Sequence, residues 1–236
     1  MNKIVFCFLL VFCFLLFFCV FLLFNHKYES FVNNKQYFFI HPTKTGGTAF
    51  ERYIEAHYNS YIKGTRIRYG HEKKCSDVEN PIIIIRDPYD RFVSTYKYWK
   101  NGSAIYERPD EWKEKNKNIT LDEYIELVKN KDSKLIFNST WEDHYAPQTK
   151  WIKPKDYKKT IVIIYDKNYM EGKVFRLLEK LDIKNKNIPY EKANISYGKH
   201  VALTLEQKRK IYKLYEDDFI LFDQLKNNKA LFKHVI

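Results

Sequence analysis

Gln36-Tyr37-Phe38-Phe39-Ile40-His41-Pro42-Thr43-Lys44-Thr45-Gly46-Gly47-Thr48-Ala49-Phe50 is the stretch that decides the fold. Its first five residues form a short apolar run rich in aromatics, stopped by His41-Pro42, and they read as a strand. Beyond the glycines, Phe50, Tyr53, Ile54 and His57 recur at helical spacing, and Thr48 is the expected cap of that helix. Strand, loop and helix in this order aim the loop's backbone N–H groups and the positive end of the helix dipole at one spot, which suits an anion. Gly46 and Gly47 let the main chain approach it closely, and Lys44 supplies a point charge. Thr45 and Thr48 supply hydroxyls, and Ala49 completes the cradle. This is not a Walker A loop, because the spacing Gly-x4-Gly-Lys-Ser/Thr is absent and the lysine precedes the glycines.

Further along, Pro81 precedes Ile82-Ile83-Ile84-Ile85, a continuous apolar run of strand length that suits burial on both faces. It ends at Arg86-Asp87-Pro88, and Tyr89, Phe92, Val93 and Tyr96 make the apolar stripe of the next helix. Ile161 to Tyr165 is a third buried strand, backed by a helix carrying Val174, Leu177, Leu178 and Leu181. Thr204-Leu205-Glu206-Gln207 has capping-box form, and Ile211, Leu214, Tyr215 and Phe219 continue one helix from it. Strands alternating with helices imply an α/β domain with a mostly parallel central sheet flanked by helices. Ligands of such sheets sit beyond the carboxyl ends of the strands, where both polar turns lie. There Arg86 can fork onto a phosphate, and Ser94, about two turns into the following helix, adds a hydroxyl. Arg91 reads as a structural partner at the helix start.

The amino-terminal end is different in kind. Ile4 to Phe24 carries no charge and is as long as the roughly 20 apolar residues that cross a bilayer core. It lacks the small-residue end of a cleaved signal peptide. The expected organisation is a cytoplasmic tail over 1–3, a transmembrane signal anchor over 4–24, a stem over 25–35 and one catalytic domain over 36–236. Lys3 on one side and Lys27 and Lys35 on the other leave the orientation undecided by charge. Asn101, Asn118, Asn138 and Asn194 each begin an Asn-x-Ser/Thr acceptor, which favours a lumenal body. Three of the four cysteines lie in the anchor, so Cys75 has no partner for an internal disulfide. A hydrophobic fraction of 45% excludes a disordered chain, and a net charge of +12 favours anionic partners. No nucleic-acid-binding module is recognisable, so no nucleic-acid partner is expected. Metal-ligand spacings such as His-x3-His or Cys-x2-Cys are absent, and no metal is expected.

The two polar turns together resemble a known family. His41-Pro42-Thr43-Lys44-Thr45-Gly46-Gly47-Thr48 is similar to the 5′-phosphosulfate loop of membrane-bound carbohydrate sulfotransferases, the group that includes the heparan sulfate 2-O- and 6-O-sulfotransferases. Thr43 stands where proline is usual, and the proline falls at position 42. Ile85 to Ser94 resembles the same family's 3′-phosphate motif, Arg-Asp-Pro-x-x-Arg-x-x-Ser. The resemblance implies a P-loop-like sulfotransferase fold and 3′-phosphoadenosine 5′-phosphosulfate (PAPS) as sulfuryl donor. It implies that Lys44 stabilises the leaving phosphate and that His71, in Tyr69-Gly70-His71, is the catalytic base. Trp141 to Gln148 resembles a segment bordering the acceptor cleft, which makes His144 and Gln148 candidate acceptor contacts. Asn194 to Lys199 resembles a late loop that closes over the nucleotide, with Asn194 and Ser196 as donor contacts. A carbohydrate acceptor and a single-pass type II placement in the Golgi membrane with a lumenal domain follow from the same resemblance, and the net charge of +12 makes an anionic glycan the expected acceptor. Two other readings stay open on sequence alone: a different nucleotide enzyme such as a kinase, and a non-catalytic anchored glycan-binding relative.

Overall fold

The computed structural model describes residues 36–58, 66–103, 109–132, 142–183, 189–191, 196 and 198–236. The predicted tail, anchor and stem lie outside them, and among the described residues no helix is long and apolar enough to cross a membrane.

A five-stranded sheet in the order β2-β1-β3-β4-β5 forms the centre, with every neighbouring pair parallel. Its strands are β1 Gln36–Ile40, β2 Arg66–Gly70, β3 Pro81–Ile85, β4 Ile161–Ile164 and β5 His234–Val235. The helices are α1 Gly47–Tyr58, α2 Pro88–Asn101, α3 Asp110–Asn116, α4 Leu121–Lys129, the single turn α5 Glu142–Tyr145, α6 Met170–Lys180, α7 Leu205–Leu214 and α8 Glu216–Asn227.

Side chains alternate across a strand, so the isoleucine run of β3 feeds two cores at once. Ile82 and Ile84 pack with Phe50, Ile54, Val174 and Leu177 from α1 and α6. Ile83 and Ile85 pack on the other face with Trp151, Leu221 and Leu225, the two leucines from α8. All four isoleucines are fully buried, worth about 2 kcal/mol each by transfer. A third cluster, built on Trp99, Tyr124, Ile125 and Ile211, holds α2, α4 and α7 together beside the sheet.

The expected elements form, with three differences. The helix after the loop starts at Gly47, so Thr48 lies inside it instead of capping it; Lys44 (φ 63°) and Gly46 (φ 90°) turn the chain into the helix early. The helix begun at the Thr204 capping box breaks at Tyr215 (φ −132°, ψ 31°). There the buried phenol donates to the Tyr145 carbonyl at 2.6 Å, and Glu216, Asp217 and Asp218 open α8 against its positive dipole end. Finally, β2 and β5 extend the sheet at both edges, and neither is marked by an apolar run.

Candidate active site

In a sheet of this order the chain leaves β1 towards one edge and β3 towards the other, so the loops after those strands part and leave a crevice. A cavity of about 1230 Å³ lies there, and Lys44, Gly46, Gly47, Thr48, Ala49, Arg86, Ser94 and Ser196 all line it. The two turns that sequence put at separate strand ends thus meet at one site.

The loop fits around it closely. A Cβ on Gly46 would stand 2.6 Å from the Tyr165 ring, and one on Gly47 2.1 Å from the His41 ring, so both positions need the bare backbone. Thr45 plays another part than expected: it is fully buried, and its hydroxyl donates to the Pro42 carbonyl at 2.8 Å, bracing the loop from behind. The Lys44 ammonium sits 4.0 Å above the Tyr98 ring, a cation–π placement that holds it in the crevice.

Arg86 is held by its own main chain. Gln148 accepts from the Arg86 N–H at 2.9 Å and donates to its carbonyl at 2.9 Å, while the Gln148 and Thr149 N–H groups donate to the buried Asp218 carboxylate. The guanidinium lies over Tyr165, 4.6 Å from the ring centre, and donates through one terminal nitrogen to the Lys44 carbonyl at 3.2 Å. Its Nε is buried without a hydrogen-bond partner. Burial lowers the guanidinium's proton affinity, the cost of a desolvated cation that an anion would offset. Burial, and then Lys167 and Arg86, likewise hold the nearby Lys97 below the usual lysine range. Seven cationic side chains and four carboxylates line the cavity, so its field favours a polyanion.

Asp87 caps α2, accepting from the N–H groups of Tyr89 and Asp90. The buried Arg91 donates to the carbonyls of Thr43, Ala146 and, at 3.5 Å, His144. It therefore has a structural part, but in place of a partner at the helix start it ties the loop after β1 to the segment around α5. The Ser196 hydroxyl donates to the Ser94 carbonyl at 3.3 Å, which brings the late loop against α2. Asn194 lies outside the described residues.

His71 stands just past β2. Its Nδ1 is 3.0 Å from the His41 carbonyl, its ring lies 4.1 Å from the His41 ring, and its own carbonyl accepts from the Trp151 indole at 3.1 Å. It is exposed and outside the cavity lining, whereas His41 lines the cavity. His144 stacks on Tyr98 with ring centres 5.2 Å apart, on the same ring that carries Lys44. Gln148 is fully buried and does not line the cavity; its amide is taken up by Arg86, so an acceptor contact gives way to a supporting one. Of the glycosylation candidates, Asn101 ends α2 with Ser103 of its acceptor triplet fully buried, Asn118 is exposed after α3, and Asn138 and Asn194 lie outside the described residues.

Sequence reasoning missed the pairing of His41 with Glu51, whose atoms approach to 2.7 Å, and the supports Asp218 and Tyr165. His41, Glu51 and His71 also bring three atoms of metal-ligand type within 4.8 Å of one another, a trio that linear spacing hides. The Nδ1 of His41 is already engaged by Glu51.

A family model described as the sulfotransferase family matches residues 6–223. The chain belongs to the sulfotransferase family. Comparison with curated proteins gives no significant match. Sulfotransferases move a sulfuryl group from a donor, and the residues in this crevice fit an anionic one. A glycine cradle too tight for a Cβ, a buried guanidinium with an unmatched Nε and an excess of cations meet in one cavity. The parallel α/β sheet of this sulfotransferase places all of them at its topological switch.

Proposed function

We propose that the protein is a PAPS-dependent sulfotransferase that sulfates a hydroxyl of a carbohydrate, an anionic glycan by its charge. The observation that carries this is the meeting of Lys44 and Arg86 in one cavity, with the Arg86 guanidinium 3.2 Å from the Lys44 carbonyl. A cradle for one phosphate and a buried fork for another suit a nucleotide phosphorylated at both ends, and they sit in the order seen in carbohydrate sulfotransferases.

When bound, PAPS supplies the sulfuryl group. The chain's own residues orient and stabilise. The N–H groups at the start of α1 and the Lys44 ammonium stabilise charge on the departing 5′-phosphate oxygen as the sulfur–oxygen bond breaks. Arg86, with Ser94 beside it, holds the 3′-phosphate and so selects PAPS over nucleotides without one. His71 takes the proton of the acceptor hydroxyl as its oxygen bonds to sulfur, a role a histidine fills near neutral pH. Its exposed position beside His41, which lines the cavity while His71 does not, suits an acceptor that arrives from solvent. The uncharged run from Ile4 to Phe24 supports a membrane anchor, and the Asn-x-Ser/Thr acceptors and the resemblance to membrane-bound carbohydrate sulfotransferases support a type II placement with the domain in the Golgi lumen.

Incubating the protein with sulfur-labelled PAPS and a panel of chemically desulfated glycosaminoglycans tests the proposal. Label should pass to at least one polysaccharide, and labelled ATP should transfer nothing. Absence of both transfer and adenosine 3′,5′-bisphosphate binding would sink it.

A further inference from the structure

His41 occupies a place its sequence position does not explain. Its ring packs against those of Phe39, 5.6 Å away, and His71, 4.1 Å away. One edge faces the glycine that starts α1, so closely that a Cβ there would stand 2.3 Å from Nε2. The other edge meets Glu51, one turn into α1, at 2.7 Å from Nδ1. Both partners are largely buried, their side chains 5% and 14% exposed, and the His41 carbonyl is the acceptor beside Nδ1 of His71.

We infer that Glu51 and His41 form a positioning unit that fixes His71 relative to the phosphate cradle. The inference rests on the reading of His71 as base. A neutral imidazole has one N–H, and Glu51 fixes it on Nδ1 of His41, which locks the ring's tautomer and rotation. Burial holds His41 below the usual histidine range against the opposing pull of Glu51, so the ring stays neutral beside a neighbour that must take up a proton. The locked ring braces one face of His71, and the adjoining carbonyl accepts its Nδ1–H, leaving Nε2 of His71 free of a proton. The same ring fills the space that Gly47 leaves empty. Base and leaving-group site therefore share one rigid spacer. A buried carboxylate bonded to a neutral imidazole is weak as a source of stability, because desolvation of the carboxylate offsets much of what the hydrogen bond contributes, and that shifts its use towards geometry.

The test uses the whole 236-residue chain in detergent, with PAPS and desulfated heparin as probes. Glu51→Ala should lower kcat by about tenfold, the scale of a small misplacement of a catalytic group, with KM for PAPS and the affinity for adenosine 3′,5′-bisphosphate unchanged. Glu51→Gln, whose amide oxygen accepts the same N–H, should restore most of the turnover. His41→Phe keeps a ring beside Phe39 and His71 but removes the N–H, and should fall like Glu51→Ala. Wild-type kcat in Glu51→Ala and His41→Phe, in a protein that His71→Ala inactivates, would overturn the inference and leave the base in place. Equal losses in Glu51→Ala and Glu51→Gln would overturn it in favour of a charge effect. Full turnover in His71→Ala would instead remove the base assignment itself.

Discussion

Arg86 and His71 separate the two halves of the proposed chemistry, binding and proton transfer. Charge-assisted hydrogen bonds are worth about 1.5–3 kcal/mol, so Arg86→Ala should weaken adenosine 3′,5′-bisphosphate by roughly 10- to 100-fold, measured by calorimetry, with acceptor affinity unmoved. His71→Ala should do the reverse, keeping nucleotide affinity and losing about 10²- to 10⁴-fold in transfer, the range for a positioned base. Arg86, Lys44 and the glycines were legible in the sequence because backbone chemistry at a strand end constrains residue type over a few adjacent positions. The burial of Thr45 and the turning away of Gln148 were not. A hydroxyl or an amide has the same letter whether it faces a ligand or the main chain, and only packing decides which.

At the level of elements, the crevice depends on a relay running from α8 through the turn at Gln148 to the end of β3. Asp218 holds that turn by two N–H groups, and the turn holds Arg86 by both of its backbone groups. Gln148→Ala leaves a buried N–H and carbonyl at Arg86 without these partners, at about 1–3 kcal/mol for each group left unsatisfied. It should lower the melting temperature and weaken adenosine 3′,5′-bisphosphate together, with a thermal melt and a titration as the measurements. Arg91→Met, which frees the carbonyls of Thr43 and Ala146, should likewise melt earlier. The isoleucine strand and the helices at Phe50 and Val174 could be read from their apolar periods. The β2 strand could not, because Arg66-Ile67-Arg68-Tyr69-Gly70 is an edge strand with little to bury. The break at Tyr215 has a signal in hindsight: three carboxylates in a row mark a helix start better than a helix middle.

For the molecule as a whole, the buried His41 sets a pH dependence. Its proton affinity in the folded state lies below the ordinary histidine value of 6.5, so the unfolded chain binds the extra proton more readily. Stability from this group is therefore present above that value and falls as the pH drops below it, until His41 is protonated in the folded state too. Denaturant midpoints between pH 7.5 and 5 should decline, and the decline should be shallower in His41→Phe. Burial also pushes the Cys75 thiol up to about 12, so a thiol reagent should label it only after unfolding.

Lys44 is a non-glycine residue at φ 63°, a conformation in which a side chain costs on the order of 1 kcal/mol that glycine would not incur. The cation this protein needs most therefore stands where the backbone would rather have none. Lys44→Gly should relax the turn and raise the melting temperature while abolishing transfer. A library ranked by heat tolerance alone would keep such a variant, and each round of hardening would carry the population away from catalysis.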